Sequence, residues 1–264
     1  MKKLFLISIF QCCLLGVMGQ NQPSTKSEKK AAKRQRINEM IRQEEEGVLQ
    51  YKKHFAGGIK LSNDGYGGWL EYAHAQSVKK SLLFQLEIAE RKHPKEEKLQ
   101  DIYGLAAPII YGKINFFYPI KLGVQQQILL GNKGNKNGVC VTANIGGGVS
   151  LGLLRPYLIQ VYKGNDQYAY VGYNSPDSLY FLDVNNFVSG PSFGTGWKNM
   201  TMIPGLYVKP SVRFDYGKFN EMLSALEVGV QAEFYTKPVP QMVYQKQEKL
   251  FLSAYVSLVF GRRK

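Results

Sequence analysis

From residue 53 onward, apolar and polar positions alternate with a period of two, the pattern of strands whose two faces meet different surroundings. In "HFAGGIKLSNDGYGGWLEYAHAQ", Phe55, Gly57, Ile59 and Leu61 share a face opposite Lys60, and Asn63-Asp64-Gly65 marks a hairpin turn. The next segment sets Leu70 and Tyr72 against Trp69 and Glu71, and "SLLFQLEIAERK" sets Leu82, Phe84, Leu86 and Ile88 against Gln85 and Glu87. A longer run carries Tyr118, Ile120, Leu122, Val124, Ile128 and Leu130 opposite Lys121, Gly123, Gln125 and Gln127. After the turn "NKGNKNG", Val139, Val141, Ala143, Ile145, Val149 and Leu151 oppose Thr142, Asn144 and Ser150. Leu206, Val208, Val212, Phe214 and Tyr216 then oppose Lys209, Ser211, Arg213 and Asp215. Leu226, Val228, Val230, Ala232 and Phe234 oppose Glu227, Gln231 and Glu233. The chain closes on "KLFLSAYVSLVFGRRK", with Leu250, Leu252, Ala254, Val256, Leu258 and Phe260 on one side and Phe251, Ser253, Tyr255, Ser257 and Val259 on the other.

These segments predict about eight strands. A terminal strand so apolar invites aggregation unless something covers it. A secreted sandwich would cover it with a second sheet. A membrane barrel would cover it with lipid and pair its edge by closure. Long strands and tyrosines near strand ends, Tyr72, Tyr111, Tyr118 and Tyr216, favour the barrel, because such residues form interface girdles.

The first twenty residues add the route. "MKKLFLISIFQCCLLGVMGQ" has a basic start at Lys2 and Lys3, an uncharged run from Leu4 to Gly19, and small residues before Gln20. It reads as a secretory signal peptide over 1–19. Its removal takes two of the three cysteines, leaving Cys140 alone and the mature chain without an intrachain disulfide. The longest later uncharged run, Asn137 to Leu154, is glycine-rich and alternating, so it is strand-like and poor as a membrane helix.

Residues 20–52 break from the strand pattern. A basic block from Lys26 to Arg36 precedes Glu44, Glu45 and Glu46, with only a narrow apolar stripe at Ile37, Met40 and Ile41. This predicts a charged, partly helical extension in the periplasm, read either as a solvated tether or as a docking helix. With that end in the periplasm, the turns near Ser77–Lys80, Asn132–Gly138 and Lys218–Glu221 face inward and are short. The outward segments are Asn63–Gly65, His93–Lys113, Arg155–Pro204 and Lys237–Lys249, three of them long, which is the asymmetry expected of outer-membrane barrels.

The formal net charge of +14 raises nucleic acid as a partner, but export and alternation point instead to anionic head groups or a periplasmic protein. His54, His74 and His93 have no metal-ligand spacing and read as chance surface or lumen residues. Alternation puts Glu71 and His74 on opposite faces, so they form no catalytic dyad. "IGGGVSLG" lacks the Lys-Ser/Thr of a phosphate loop. Asp177-Ser178-Leu179 resembles a short O-glycosylation acceptor of Bacteroidota, placing Ser178 in a permissive loop.

The terminal strand, with Phe260 near its end and Tyr255 before it, resembles the recognition strand read by the barrel-assembly machinery, although "GRRK" departs from a strict terminal aromatic. Together with the "GQ" junction and "GVSLGLLRPYLIQVY", it resembles the small PorT-like outer-membrane barrels of Bacteroidota over about residues 53–264. That resemblance implies an accessory role in an envelope assembly, some members serving the type IX secretion system, and supplies no catalytic motif.

The resulting expectation is an all-β, antiparallel transmembrane barrel of about eight strands, with residues 53–264 in the outer membrane. It is non-enzymatic and needs no cofactor. Its partners are outer-membrane lipid, the assembly machinery during biogenesis, and a protein of a larger envelope complex. A solute channel and an outer-membrane hydrolase are the alternatives. Lys60, Glu71, Glu87, Lys121, Lys209, Arg213, Asp215, Glu227 and Glu233 form a lumen charge network, since an eight-stranded interior is just wide enough for side chains. Tyr168, Tyr170, Tyr173, Tyr180, Phe181 and Trp197 offer a partner surface on the longest loop.

Overall fold

Alternation becomes a closed wall in the computed structural model, which describes residues 52–99, 107–133, 138–176, 178–217 and 221–264, and the single position Gln35. The expected signal peptide, the charged extension up to residue 51 apart from Gln35, residues 100–106 of an outward segment, parts of two inward turns and Asp177 lie outside the described residues.

In chain order the strands are β1 (Lys53–Ser62), β2 (Gly65–Ser77), β3 (Lys80–Arg91), the short β4 (Lys98–Leu99) and β5 (Ile109–Ile110), then β6 (Asn115–Gly131) and β7 (Cys140–Pro156). The long connection after β7 holds β8 (Ile159–Tyr162), β9 (Tyr168–Val171), helix α1 (Ser178–Leu182) and β10 (Phe187–Ser189). The wall resumes with β11 (Thr201–Asp215), β12 (Met222–Val239) and β13 (Glu248–Arg263). Eight of these close in the order β1-β13-β12-β11-β7-β6-β3-β2, every pair antiparallel. The seam joins the first and last wall strands, with Gly58 opposite Val259.

The wall is taller than periodicity alone predicts. β11 begins at Thr201 and β12 runs to Val239, so residues 201–204 and 237–239 of the expected loops are strand. Alternation is obscured there by Pro204, Gly205 and Pro238. On the outer face of β13, Leu250, Leu252, Val256, Leu258 and Phe260 are all exposed. At about 3.4 Å per residue and a tilt of about 40°, that stretch gives an apolar band about 25 Å tall, the height of a hydrocarbon belt. No helix among the described residues is long and apolar enough to cross a membrane.

One end carries the short turns and both wall termini; the other carries the longer connections. At that loop end, side chains from three connections form a separate core of Ile110, Ile114, Tyr157, Ile159, Val161, Val171, Phe181, Met242 and Val243. β8 is central in its own three-stranded sheet, flanked by β9 and β10. Tyr157 locks the connections together, its hydroxyl accepting from the Ile110 N–H at 2.7 Å. Burial pushes that phenol up to about 12. Tyr111, expected in the interface girdle, belongs to this cap; its hydroxyl donates to the Leu182 carbonyl at 3.5 Å.

Candidate functional site

The inward side chains stack in layers along the barrel axis. Near the loop end, Phe117, Leu154, Ile203, Tyr235 and Val239 make an apolar layer, with Phe251 packed against it. Toward the turn end, Ala56, Trp69, Leu223, Ala225 and Val259 make another. Between them, β-strand parity aims long charged side chains at one another across a space too narrow to hydrate each separately.

Arg213 of β11 occupies the turn-side part of this space. Its guanidinium grips Glu71 of β2 with two bonds of 2.8 Å and also donates to Glu227 of β12 at 2.9 and 2.6 Å. Such fork geometry is what a planar guanidinium supplies and an ammonium cannot. Tyr255 donates its hydroxyl to the other Glu227 oxygen at 2.7 Å. Lys209 lies 3.5 Å from Glu227 and 3.6 Å from Glu87, linking this cluster to the next. There Glu87 receives Lys60 and Lys121, the latter at 2.8 Å, and Lys121 also reaches Glu233 at 2.7 Å. Glu233 continues the chain to Arg91 at 3.0 Å, and Arg91 to Asp64 at 2.7 Å. Five cations, Lys60, Arg91, Lys121, Lys209 and Arg213, thus meet five carboxylates, Asp64, Glu71, Glu87, Glu227 and Glu233. Mutual neutralisation is what makes burial of so much charge tolerable.

Asp215 stands apart from that network. It sits nearer the turn end, paired with Arg263 and 3.6 Å from Lys133. The other eight residues expected in the lumen converge in the central network. Periodicity did not flag Arg91, Asp64, Lys133 and Arg263 as partners. It also left His54 as a chance residue, whereas its Nε2 lies 2.9 Å from Glu71. The available signal was parity: His54 is six residues before Lys60, hence on the same face. His74 is on the outer face and Glu71 on the inner one. Among the described residues no group of histidine, cysteine or acid could hold a metal.

The expected partner loop divides in two. Tyr168, Tyr170 and Tyr173 are exposed. Phe181 is fully buried and Tyr180 packs against the same cluster, because α1 lays that side over the small sheet. Phe181 is cap core and cannot present a contact surface in the folded cap, whereas Tyr180 is only half-buried and keeps an accessible side. Trp197 is stacked on Tyr118 of the outer wall, ring centres 5.9 Å apart and planes 15° apart. In the terminal strand, Phe260 faces out while Tyr255 faces the lumen, its ring beneath Lys60 at 5.0 Å and Lys209 at 4.8 Å.

No protein-family model and no curated protein matches the chain. Among solved structures it is similar to Ail, the attachment invasion locus protein of Yersinia pestis, at 8% identity and TM-score 0.39, covering 82% of this chain and 100% of that one. It is also similar to the outer membrane protein OprG from Pseudomonas aeruginosa, at 10% identity and TM-score 0.37, covering 83% and 98%. The N-terminal β-barrel domain of Pseudomonas aeruginosa OprF scores 0.34 at 8% identity, covering 80% and 98%. At these scores the likeness carries no functional argument.

Proposed function

We propose that the chain is a sealed outer-membrane barrel that serves as a non-enzymatic accessory component of an envelope assembly, with its loop end outward and its N-terminal extension in the periplasm. The observation that supports this reading best is double closure. The lumen is filled by paired charges between two apolar layers, and the loop end is covered by a hydrophobic core drawn from three connections. A conduit needs a path for solute, and both obstacles stand in it. The outer wall meets lipid and the lumen satisfies its own charges, which leaves the exposed cap and the extension for partners. Some members of the PorT-like class that the sequence resembles serve the type IX secretion system, and a secretion or barrel-insertion machine is the assembly proposed for this chain.

The test keeps the cap folded. A Tyr168→Ser, Tyr170→Ser, Tyr173→Ser variant spares every residue of the cap core, and deletion of 22–50 removes the extension. Co-purification from detergent extracts should be lost in one of the two. Partner capture unchanged in both would sink the accessory role. Stable open conductance of the wild type in planar bilayers would favour a channel instead.

A further inference from the structure

Among the described residues, one buried cation outside the lumen has no acid to answer it. Arg155 lies on the outer face at the loop end of β7, opposite Phe116 of β6, two residues beyond Leu153 and the apolar belt. It is therefore placed at head-group depth in the outer-membrane reading, on which this inference rests. It is only 4% exposed. Its guanidinium sits over three aromatic rings: Phe116 at 4.1 Å, Trp197 at 4.8 Å and Tyr118 at 5.8 Å. Nη1 donates to the Phe193 carbonyl at 3.1 Å, while the buried Nε–H has no acceptor and no carboxylate of the described residues pairs with the group. Every cation of the lumen network is, by contrast, paired with an acid.

The lobe around this arginine is built for close contact. Gly196 has φ +85°, and a Cβ there would stand 2.7 Å from the Pro156 carbonyl and 3.3 Å from Arg155 Cγ. Only glycine lets the turn clamp down at that point. The clamp holds Trp197 flat on Tyr118 and leaves Phe193 84% exposed beside it, with Lys198 also exposed. A half-wet aromatic group at the rim of an apolar belt is the usual arrangement for interfacial anchoring. A guanidinium with a free donor is the usual partner of phosphate.

The geometry points to a site for a phosphorylated glycolipid head group at the loop-end rim, with Arg155 and Lys198 taking the phosphate and Phe193 and Trp197 the sugar faces. The ligand combines an anion with a ring that can lie on an aromatic, which suits this pairing better than a plain phospholipid. No bond is made or broken.

Native mass spectrometry of the whole protein in non-ionic detergent tests this without reference to cellular location. The probes are diphosphoryl lipid A, its enzymatically dephosphorylated form, and phosphatidylglycerol. Diphosphoryl lipid A should bind at least tenfold more tightly than either other probe, and Arg155→Gln should remove that preference. Lys198→Glu, an exposed change that leaves the ring stack in place, should weaken binding several-fold even if Arg155→Gln fails to fold. Equal binding of the phosphorylated and dephosphorylated forms overturns the proposal, as does phosphatidylglycerol binding as tightly as lipid A. Unchanged affinity in Lys198→Glu and in folded Arg155→Gln also overturns it. Loss of partner capture or altered fractionation would strike the accessory reading and leave these affinities as they are.

Discussion

Arg213 and Phe181 are both fully buried, in regions that follow opposite rules. Around Arg213 the wall turns its apolar side chains outward and its charges inward, so the interior is held by ion pairs and the exterior is an exposed apolar face. Around Phe181 the cap does what soluble domains do and buries its apolar side chains against one another. The contrast teaches that the environment outside each region, and not the chain's overall hydrophobicity, decides which residues go in. A mean hydropathy of −0.24 hides a segment that is inside-out and one that is not.

The largest expected effect comes from unbalancing the inside-out region. Arg213→Met leaves Glu71 and Glu227 short of their main counter-charge and should cost about 3–5 kcal/mol. A fall in the urea midpoint of the folded barrel in detergent would read it. Adding Glu71→Leu and Glu227→Leu should recover most of that loss, since an apolar replacement of a whole buried cluster is often neutral. If the triple variant is as unstable as the single one, the network does more than neutralise itself.

A comparable change in the other region should act locally. Phe181→Ala removes a ring from the cap core and should cost the cap about 3–5 kcal/mol. Protease should then cut between residues 157 and 190, while the barrel's urea midpoint stays put. A matching drop in that midpoint would show that cap and barrel unfold as one.

Parity along the strands was enough to place eight of the nine expected lumen residues in one network and to anticipate an eight-stranded wall. What parity cannot give is who faces whom. Arg213 meets Glu71 across 142 residues, and Arg91 meets Glu233 across 142 as well, because strand stagger brings those levels together. Stagger leaves no trace in a single strand's pattern. The cap was less legible still. Its strands β8 and β9 are four residues each, too short for a period to emerge, so Phe181 and Tyr168 look alike in the sequence although one is core and the other surface.

Smaller perturbations sharpen the contrast. Tyr255→Phe deletes one donor to a buried carboxylate and should cost about 1.5–3 kcal/mol. It should move the barrel midpoint and leave cap proteolysis unchanged.

The smallest effect is a pH dependence confined to the loop end. His93 Nδ1 accepts from the Lys95 N–H at 3.2 Å, and the His93 N–H donates to Glu96 at 3.0 Å. Burial holds the His93 imidazole below its ordinary 6.5, opposed by Glu96 and aided by Lys95 and Lys113. The unfolded turn therefore binds more protons than the folded one as pH falls through that window, and the turn's stability is present above 6.5 and lost below its folded value. Amide exchange at Lys95, corrected for its intrinsic pH dependence, should speed up on going from pH 7.5 to 5. His93→Gln should abolish the change, and the lumen-facing amides should not share it.

The seam between β1 and β13 sets the order in which the molecule can be completed. Ile59 and Ser257, joined there by a bond of 2.8 Å, are 198 residues apart, so the ring closes only when nearly the whole chain is in place. Contacts of such long separation carry their loop-closure cost before they return anything. The same event decides the charges: Lys60 on the first strand needs Gln231 on β12 and Glu87 on β3, and Glu227 needs Tyr255 on the last. A chain that stops short of β13 exposes a sheet edge and leaves these pairs incomplete. β13 thus acts as a latch, and only a chain that includes it can shut the ring.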